Sequence, residues 1–163
     1  MYGTLKFLIS IDDIERCKDV NWCIFKNNLS EKHKHWQSYY YAMSTKNKKH
    51  PQSMLLHRFL TDCPKGLYVD HIDHNTLDNR RENLRICTMN ENSSHRKKQQ
   101  NNTSGVIGVC WSKKDNKWMA YIMVNRRFKN LGYYNDINQA ADVRKQAELK
   151  YFGEFQPVYD DVS

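Results

Sequence analysis

The sequence predicts an α+β protein assembled from two small modules. Three observations carry this expectation. Hydrophobic residues make up 39% of the 163 positions and the mean hydropathy is −0.88, which is polar for one large core and fits two small ones. Short β-type segments lead twice into a helix start of the capping-box kind, at Thr88–Glu91 and at Asp136–Gln139. Between the two blocks, Lys97–Ser104 contains no large apolar residue and reads as a linker.

In chain order, Thr4–Ile9 predicts a short strand, and Ile11–Glu15 a helical turn with Ser10 as its cap. Trp22–Phe25 and Ser38–Met43 are aromatic, β-rich segments on either side of a polar loop, Asn27–His35. Met54–Leu60 reads as a further strand, ended by the Pro64-Lys65-Gly66 turn. Leu67–Ile72 and Leu84–Thr88 predict two strands around an Asp/Asn-rich loop. A helix follows from Thr88 to about Gln99, with Arg96-Lys97-Lys98 at its negative end. Beyond the linker, Val106–Trp111, Lys117–Val124 and Phe128–Tyr134 predict three strands joined by tight turns. The closing helix places Ile137, Ala140, Ala141, Arg144, Ala147 and Tyr151 on one face and ends at Gly153. On the middle strand, alternation turns Trp118, Ala120, Ile122 and Val124 toward that helix and Met119, Tyr121 and Met123 away from it.

Lys and Arg outnumber Asp and Glu by 26 to 18, a net charge of +8, which favours a polyanionic partner. The excess is uneven: residues 1–50 carry +4, residues 51–88 are neutral, residues 105–134 carry +5, and residues 135–163 carry −3. The neutral stretch holds the chemistry-bearing residues, and the +5 stretch is a separate basic surface. Five cysteines, Cys17, Cys23, Cys63, Cys87 and Cys110, include no C-x-x-C pair. No secretory leader or membrane-length apolar run is visible, so the expectation is reduced thiols in a cytoplasmic setting. His33, His35 and His50 sit among lysines and read as solvated.

The densest chemistry lies between residues 70 and 92. Asp70 and His71 are adjacent, Asn83 follows His71 by twelve residues and Asn92 by twenty-one. Phosphodiester hydrolysis requires an activated water and a cation to neutralise charge on the phosphate. Asp70 and Asn92 offer a carboxylate and a carbonyl oxygen, a set suited to Mg²⁺ (or Mn²⁺) that keeps much of its water. His71 is the candidate general base, because imidazole titrates near working pH. Asn83 is the candidate support that orients its ring. Asp73, Asp78 and Asn79 are turn formers in this reading. A zinc site from His71, His74, Cys87 and His95 is the competing metal reading, although it lacks the usual C-x-x-C element.

The segment Val69-Asp70-His71-Ile72-Asp73-His74-Asn75, continued by Asp78-Asn79-Arg80-Arg81-Glu82-Asn83-Leu84-Arg85, resembles the HNH endonucleases, especially phage and intron-encoded homing endonucleases. Leu56-His57-Arg58 and Asn92 extend the match. The resemblance implies a ββα-metal module at about residues 54–99. His71 would be its base, Asn83 the support, and Asp70 with Asn92 the metal ligands. His74 stands where glycine or another small residue is more usual. His57, whose role is structural or phosphate-contacting, and Arg80, Arg81, Arg85, Arg96, Lys97 and Lys98 are the candidate DNA contacts around this module. A bacterial or phage-infected host cell is the setting this family implies.

Gly105–Trp111, Lys117–Ile122, Leu131–Tyr134 and Ala140-Ala141 resemble the plant APETALA2-type (ethylene-response-factor-like) DNA-binding domain. That family lays a three-stranded sheet in the major groove with a helix behind it. Here the outward positions are Cys110, Ser112, Tyr121, Met123 and Asn130 in place of Arg, Glu or Trp, which removes bidentate arginine readout. Lys113, Lys114, Lys117, Arg126 and Arg127 are the candidate phosphate contacts, with Tyr121 and Asn130 on the face itself.

The expected organisation is an N-terminal β-rich extension at 1–53, the nuclease module at 54–99, a linker at 100–104, a sheet-and-helix DNA-binding domain at 105–155, and a tail at 156–163. The expected function is a site-specific, metal-dependent endonuclease of homing type, cutting or nicking double-stranded DNA. No membrane and no protein partner are expected. The alternative is a non-catalytic DNA-binding regulator on the same scaffold.

Overall fold

The computed structural model describes residues 5–27, 39–45, 52–95, 98 and 102–157. Arg96, Lys97, His33, His35, His50 and most of the 27–35 loop lie outside the described residues. The backbone divides into two compact units, Met1–Thr88 and Met89–Ser163, each taken separately below.

The first unit contains β1 (Leu8–Ile9), α1 (Ile14–Cys17), β2 (Trp22–Asn27), β3 (Tyr39–Ser44), α2 (Leu56–Leu60), β4 (Tyr68–His71), β5 (Asp78–Asn79) and β6 (Leu84–Cys87). Three small pairings hold it: β2 with β3 antiparallel, β4 with β6 antiparallel, and β1 with β5 parallel. The β4–β6 register sets Asp70 opposite Arg85 and His71 opposite Leu84. The core gathers Cys17, Ala42, Leu56, Leu60 and Leu84, with Phe7, Ile9, Trp22, Phe59 and Val69 packed against it.

Two local expectations are corrected. Residues 54–60 do not form a strand: Leu55 makes only an isolated bridge to Met43, and Leu56–Leu60 is helical. Leu55/Phe59 and Leu56/Leu60 are i,i+4 pairs, a helical stripe that buries Leu56 and Leu60 completely. Ser10 does not cap with its side chain. Its hydroxyl instead accepts the Arg81 backbone N–H at 2.9 Å, tying the N-terminal segment to the loop before β6.

The second unit contains α3 (Met89–Ser94), β7 (Val109–Ser112), β8 (Lys117–Val124), β9 (Arg127–Tyr134) and α4 (Ile137–Phe152). The strands form an antiparallel sheet in the order β7-β8-β9. Val109, Ala120 and Ala140 make its core, joined by Val106, Trp118, Leu131, Tyr134 and Ile137. Asn125 and Arg126 both take positive φ (50° and 62°) in the two-residue turn between β8 and β9, which matches the twist of a tight hairpin. The Asp136 side chain caps α4 by accepting the Asn138 N–H at 3.0 Å. Gly153, at φ 54°, follows its end.

The first strand of this sheet starts at Val109, three residues later than Val106–Trp111 predicts. Gly105 and Gly108 take φ of 79° and 76°, so the chain turns there. The Ser104 hydroxyl holds that turn, donating to the Val109 carbonyl at 2.6 Å. Buried Arg144 then donates from Nε to the Ile107 carbonyl at 3.0 Å and pairs with buried Glu148. α3 ends at Ser94, short of the predicted Gln99. Among the described residues, no helix is long and apolar enough to cross a membrane.

Candidate active site

The candidate site is built on the last two residues of β4 and the loop that returns the chain to β6. Strand pairing fixes Asp70 and His71 from one side, and both side chains are nearly enclosed, at 6% and 5% exposed. Asp70 accepts from Arg85 Nε at 2.9 Å, and the pair is closed further by an Arg85 Nη2 contact of 2.7 Å. Only 13% of the Arg85 side chain is exposed. Arg85, expected at a DNA surface, therefore holds the Asp70 carboxylate from the neighbouring strand.

The 73–83 loop is shaped by short polar side chains bonding to nearby backbone, as the turn-former reading expects for Asp73 and Asp78. Asp73 Oδ1 accepts the Asn75 N–H at 2.7 Å, and Asn75 Oδ1 accepts the Leu77 N–H at 3.2 Å. Asp78 accepts the Arg80 N–H at 3.2 Å and is clasped by the Arg80 guanidinium, with Nε to Oδ1 at 2.9 Å. That hydrogen bond from Arg80 holds the Asp78 carboxyl below the usual carboxylate range, against the opposing effect of burial. His74 takes φ 61°, which gives the physical reason a glycine is more usual at that position. Arg81 forks onto fully buried Asp13, with Nε to Oδ2 at 2.9 Å. Arg80 and Arg81 thus spend their guanidinium groups within the protein while staying about half exposed.

Asn83 is buried, and its side chain staples the loop to itself. Its Oδ1 accepts the Asp73 N–H at 3.0 Å, and its Nδ2 donates to Asp73 Oδ1 at 2.7 Å and to the Asp78 carbonyl at 2.9 Å. The side chain that meets the His71 ring is Asn79, whose Oδ1 lies 3.4 Å from His71 Nε2. By residue type Asn79 reads as a turn former, and a two-residue strand, Asp78–Asn79, has no periodicity to signal this contact. Behind His71, His57 on α2 presents its ring edge-on at 5.2 Å, and Tyr41 packs on His57 in turn. At 6% exposed, His57 is a packing neighbour of the base candidate, which fits the structural one of the two roles, structural or phosphate-contacting, expected for it.

Electrostatically the site favours a neutral imidazole pair. Burial lowers the His71 pKa, and the Asn79 hydrogen bond with the Asp73, Asp70 and Asp78 charges offset part of that shift. Burial first, and then the charges of His71 and Arg58, push His57 down to about 3. A neutral histidine beside carboxylates is able to accept a proton from water.

Asp70 offers the oxygen chemistry that a hard divalent ion prefers, and one carboxylate suffices for an ion that stays largely hydrated. Among the described residues no group of three or more His, Cys, Asp or Glu side chains is arranged to hold a metal, and the zinc reading from His71, His74, Cys87 and His95 gains no support from the structure. Asn92 is half-buried on α3, in the second unit, and its pairing with Asp70 stands on the sequence resemblance. In that unit Lys98, Lys113, Lys114, Lys117, Arg126, Arg127 and Asn130 are all exposed. Tyr121 is half-buried and stacks on exposed Phe128 with ring centroids 5.3 Å apart.

Residues 58–94 match the family model described as HNH endonuclease. The chain is 40% identical over 67 residues to "Protein 3.8" of Escherichia phage T7, covering 41% of this chain and 55% of that protein. It is 33% identical over 108 residues to "Uncharacterized HNH endonuclease L560" of Acanthamoeba polyphaga mimivirus, covering 63% of this chain and 55% of the relative. A prophage-derived protein of Bacillus subtilis (strain 168), whose name includes the HNH homing endonuclease designation, is 46% identical over 56 residues, 31% of this chain and 32% of the relative. The chain thus spans about half the length of the first two relatives, or less for the third. No solved structure matches it. The stretch that carries Asp70, His71 and Asn83 is thus the part of the chain that is similar to the HNH endonuclease family.

Proposed function

We propose that the protein is a DNA endonuclease of homing type, hydrolysing phosphodiester bonds with a divalent cation and His71 as general base. The observation that carries this reading is the enclosed Asp70–His71 step, with a neutral imidazole one residue from a carboxylate, inside a segment that matches the HNH family. Asp70 would hold the ion, Mg²⁺ by its oxygen chemistry, and the ion when bound supplies charge neutralisation at the phosphate. His71 removes a proton from water, the water oxygen bonds to phosphorus, and the P–O3′ bond breaks. The 3′ oxygen leaves with the bonding pair and takes a proton from solvent water, while the imidazolium returns its proton to solvent, so the products are a 5′-phosphate and a 3′-hydroxyl. Asn83 contributes by fixing the 73–78 loop, and Arg85 by holding the Asp70 carboxylate in place.

The sheet-and-helix second unit is the proposed DNA grip, in the manner of an APETALA2-type domain. Its exposed Lys113, Lys114, Lys117, Arg126 and Arg127 are suited to phosphates, which position a duplex without reading it. Incubation of supercoiled plasmid with the full chain, with Mg²⁺ or with EDTA, tests the reading. Relaxed or linear product with Mg²⁺ alone supports it. DNA binding without cleavage in either condition favours a non-catalytic regulator.

A further inference from the structure

We propose that Asn79 is the positioning residue for His71: its amide oxygen accepts the Nε2–H and so leaves Nδ1 as the basic nitrogen. The inference rests on His71 being the general base, but the atom assignment comes from contacts alone. Asn79 is fully buried, so its side chain must satisfy its polar atoms inside the protein. Its Nδ2 donates to the Leu77 carbonyl at 3.2 Å. A carbonyl only accepts, so the amide nitrogen is fixed on that side and Oδ1 is the atom turned to His71 Nε2 at 3.4 Å. Two acceptors do not face each other in a buried site, and the neutral imidazole therefore carries its hydrogen on Nε2. The lone pair is then on Nδ1.

Two further contacts make this arrangement rigid. β1 pairs with β5 in parallel, with Ile9 in register with Asn79, and Leu8 N–H donates to the Leu77 carbonyl at 2.8 Å. The N-terminal strand thereby holds both residues of the Leu77–Asn79 bond. The His57 ring meets His71 edge-on at 5.2 Å and limits rotation of the imidazole. The N-terminal extension thus acts on the base by fixing the amide that selects its tautomer.

The test is ¹⁵N NMR of the full chain labelled at histidine, above the imidazole pKa, with nicking rates measured in parallel. In the unmodified protein His71 Nε2 should show the protonated, pyrrole-type shift and Nδ1 the unprotonated one. Asn79→Leu removes the acceptor at similar volume and should move both shifts toward an average of the two tautomers. Nicking should fall about 10- to 100-fold, the usual cost of losing such a partner. Asn79→Asp retains an acceptor oxygen and should retain the Nε2–H tautomer. A protonated Nδ1 in the unmodified protein overturns the assignment, whether or not the variants fold. An Asn79→Leu spectrum identical to the parent also overturns it. Absence of nicking by the unmodified protein refutes the nuclease reading while leaving the tautomer result readable.

Discussion

Replacing His57 by phenylalanine should remove much of the acid sensitivity of the first unit. His57 is 6% exposed, and its folded-state pKa of about 3 compares with an ordinary 6.5. The unfolded chain therefore binds a proton that the folded chain refuses as pH falls between those values. Stability is fully present above pH 6.5 and is lost progressively down to about pH 3. Each pH unit of that window corresponds to about 1.4 kcal/mol. At pH 5 the loss from His57 is about 2 kcal/mol, and across the whole window about 5 kcal/mol. The lowered pKa of His71 adds a loss of the same sign. The Asp78 pKa is also lowered, but from 3.8, so its contribution is lost mainly as pH falls below 3.8, under the pH 5 to 7.5 interval compared here. Urea unfolding of the parent and of His57→Phe at pH 7.5 and pH 5 measures the difference. The variant should lose about 2 kcal/mol less than the parent between the two pH values. Equal losses would refute the assignment of His57 as a buried, neutral histidine.

Asn83→Ala removes three hydrogen bonds from the 73–78 loop, one of them to a carboxylate, and should destabilise the first unit by about 3 kcal/mol; a loss under about 1 kcal/mol in urea would show that the staple is unimportant. Gly108→Ala should destabilise the second unit by about 2 kcal/mol or more, because φ is 76° and the new Cβ would lie 2.2 Å from Arg144 Nε and 2.5 Å from the Tyr121 carbonyl. Unchanged thermal unfolding of that variant would contradict the packing described here. Changing Lys113, Lys114 and Lys117 together to alanine should flatten the slope of log binding constant against log salt by about 2.7, if each lysine meets one phosphate. A binding isotherm series that keeps its slope would identify them as solvated charges.

That the chain forms two small units was legible because each block carries its own signals, although the units divide between Thr88 and Met89 and not at the polar 100–104 segment. The Asp136 cap, the alanine face of α4 and the alternation along β8 are local features, and Ala120 and Ile122 are indeed the buried members of that strand. The Asp70–His71 pair was legible from residue type and spacing. What the sequence did not disclose are contacts made at long range. The fork of Arg81 on Asp13 spans 68 positions, and the parallel pairing of Leu8–Ile9 with Asp78–Asn79 joins two-residue strands with no periodic signature. The contact of Asn79, and not Asn83, with the His71 ring is likewise set by three-dimensional packing. Both are asparagines in the same loop, and only the third dimension tells which amide meets the imidazole. α2 was missed because five apolar-rich residues satisfy strand and helix patterns alike.

Cleavage of supercoiled DNA by His71→Ala in the presence of Mg²⁺ bears most directly on the central claim, with DNA binding measured on the same preparation. A general base contributes about 10²- to 10⁴-fold to such a reaction. Cleavage should therefore fall by that factor while binding, proposed above to rest on the basic surface of the second unit, is retained. Cleavage at the parent rate by His71→Ala would contradict the account.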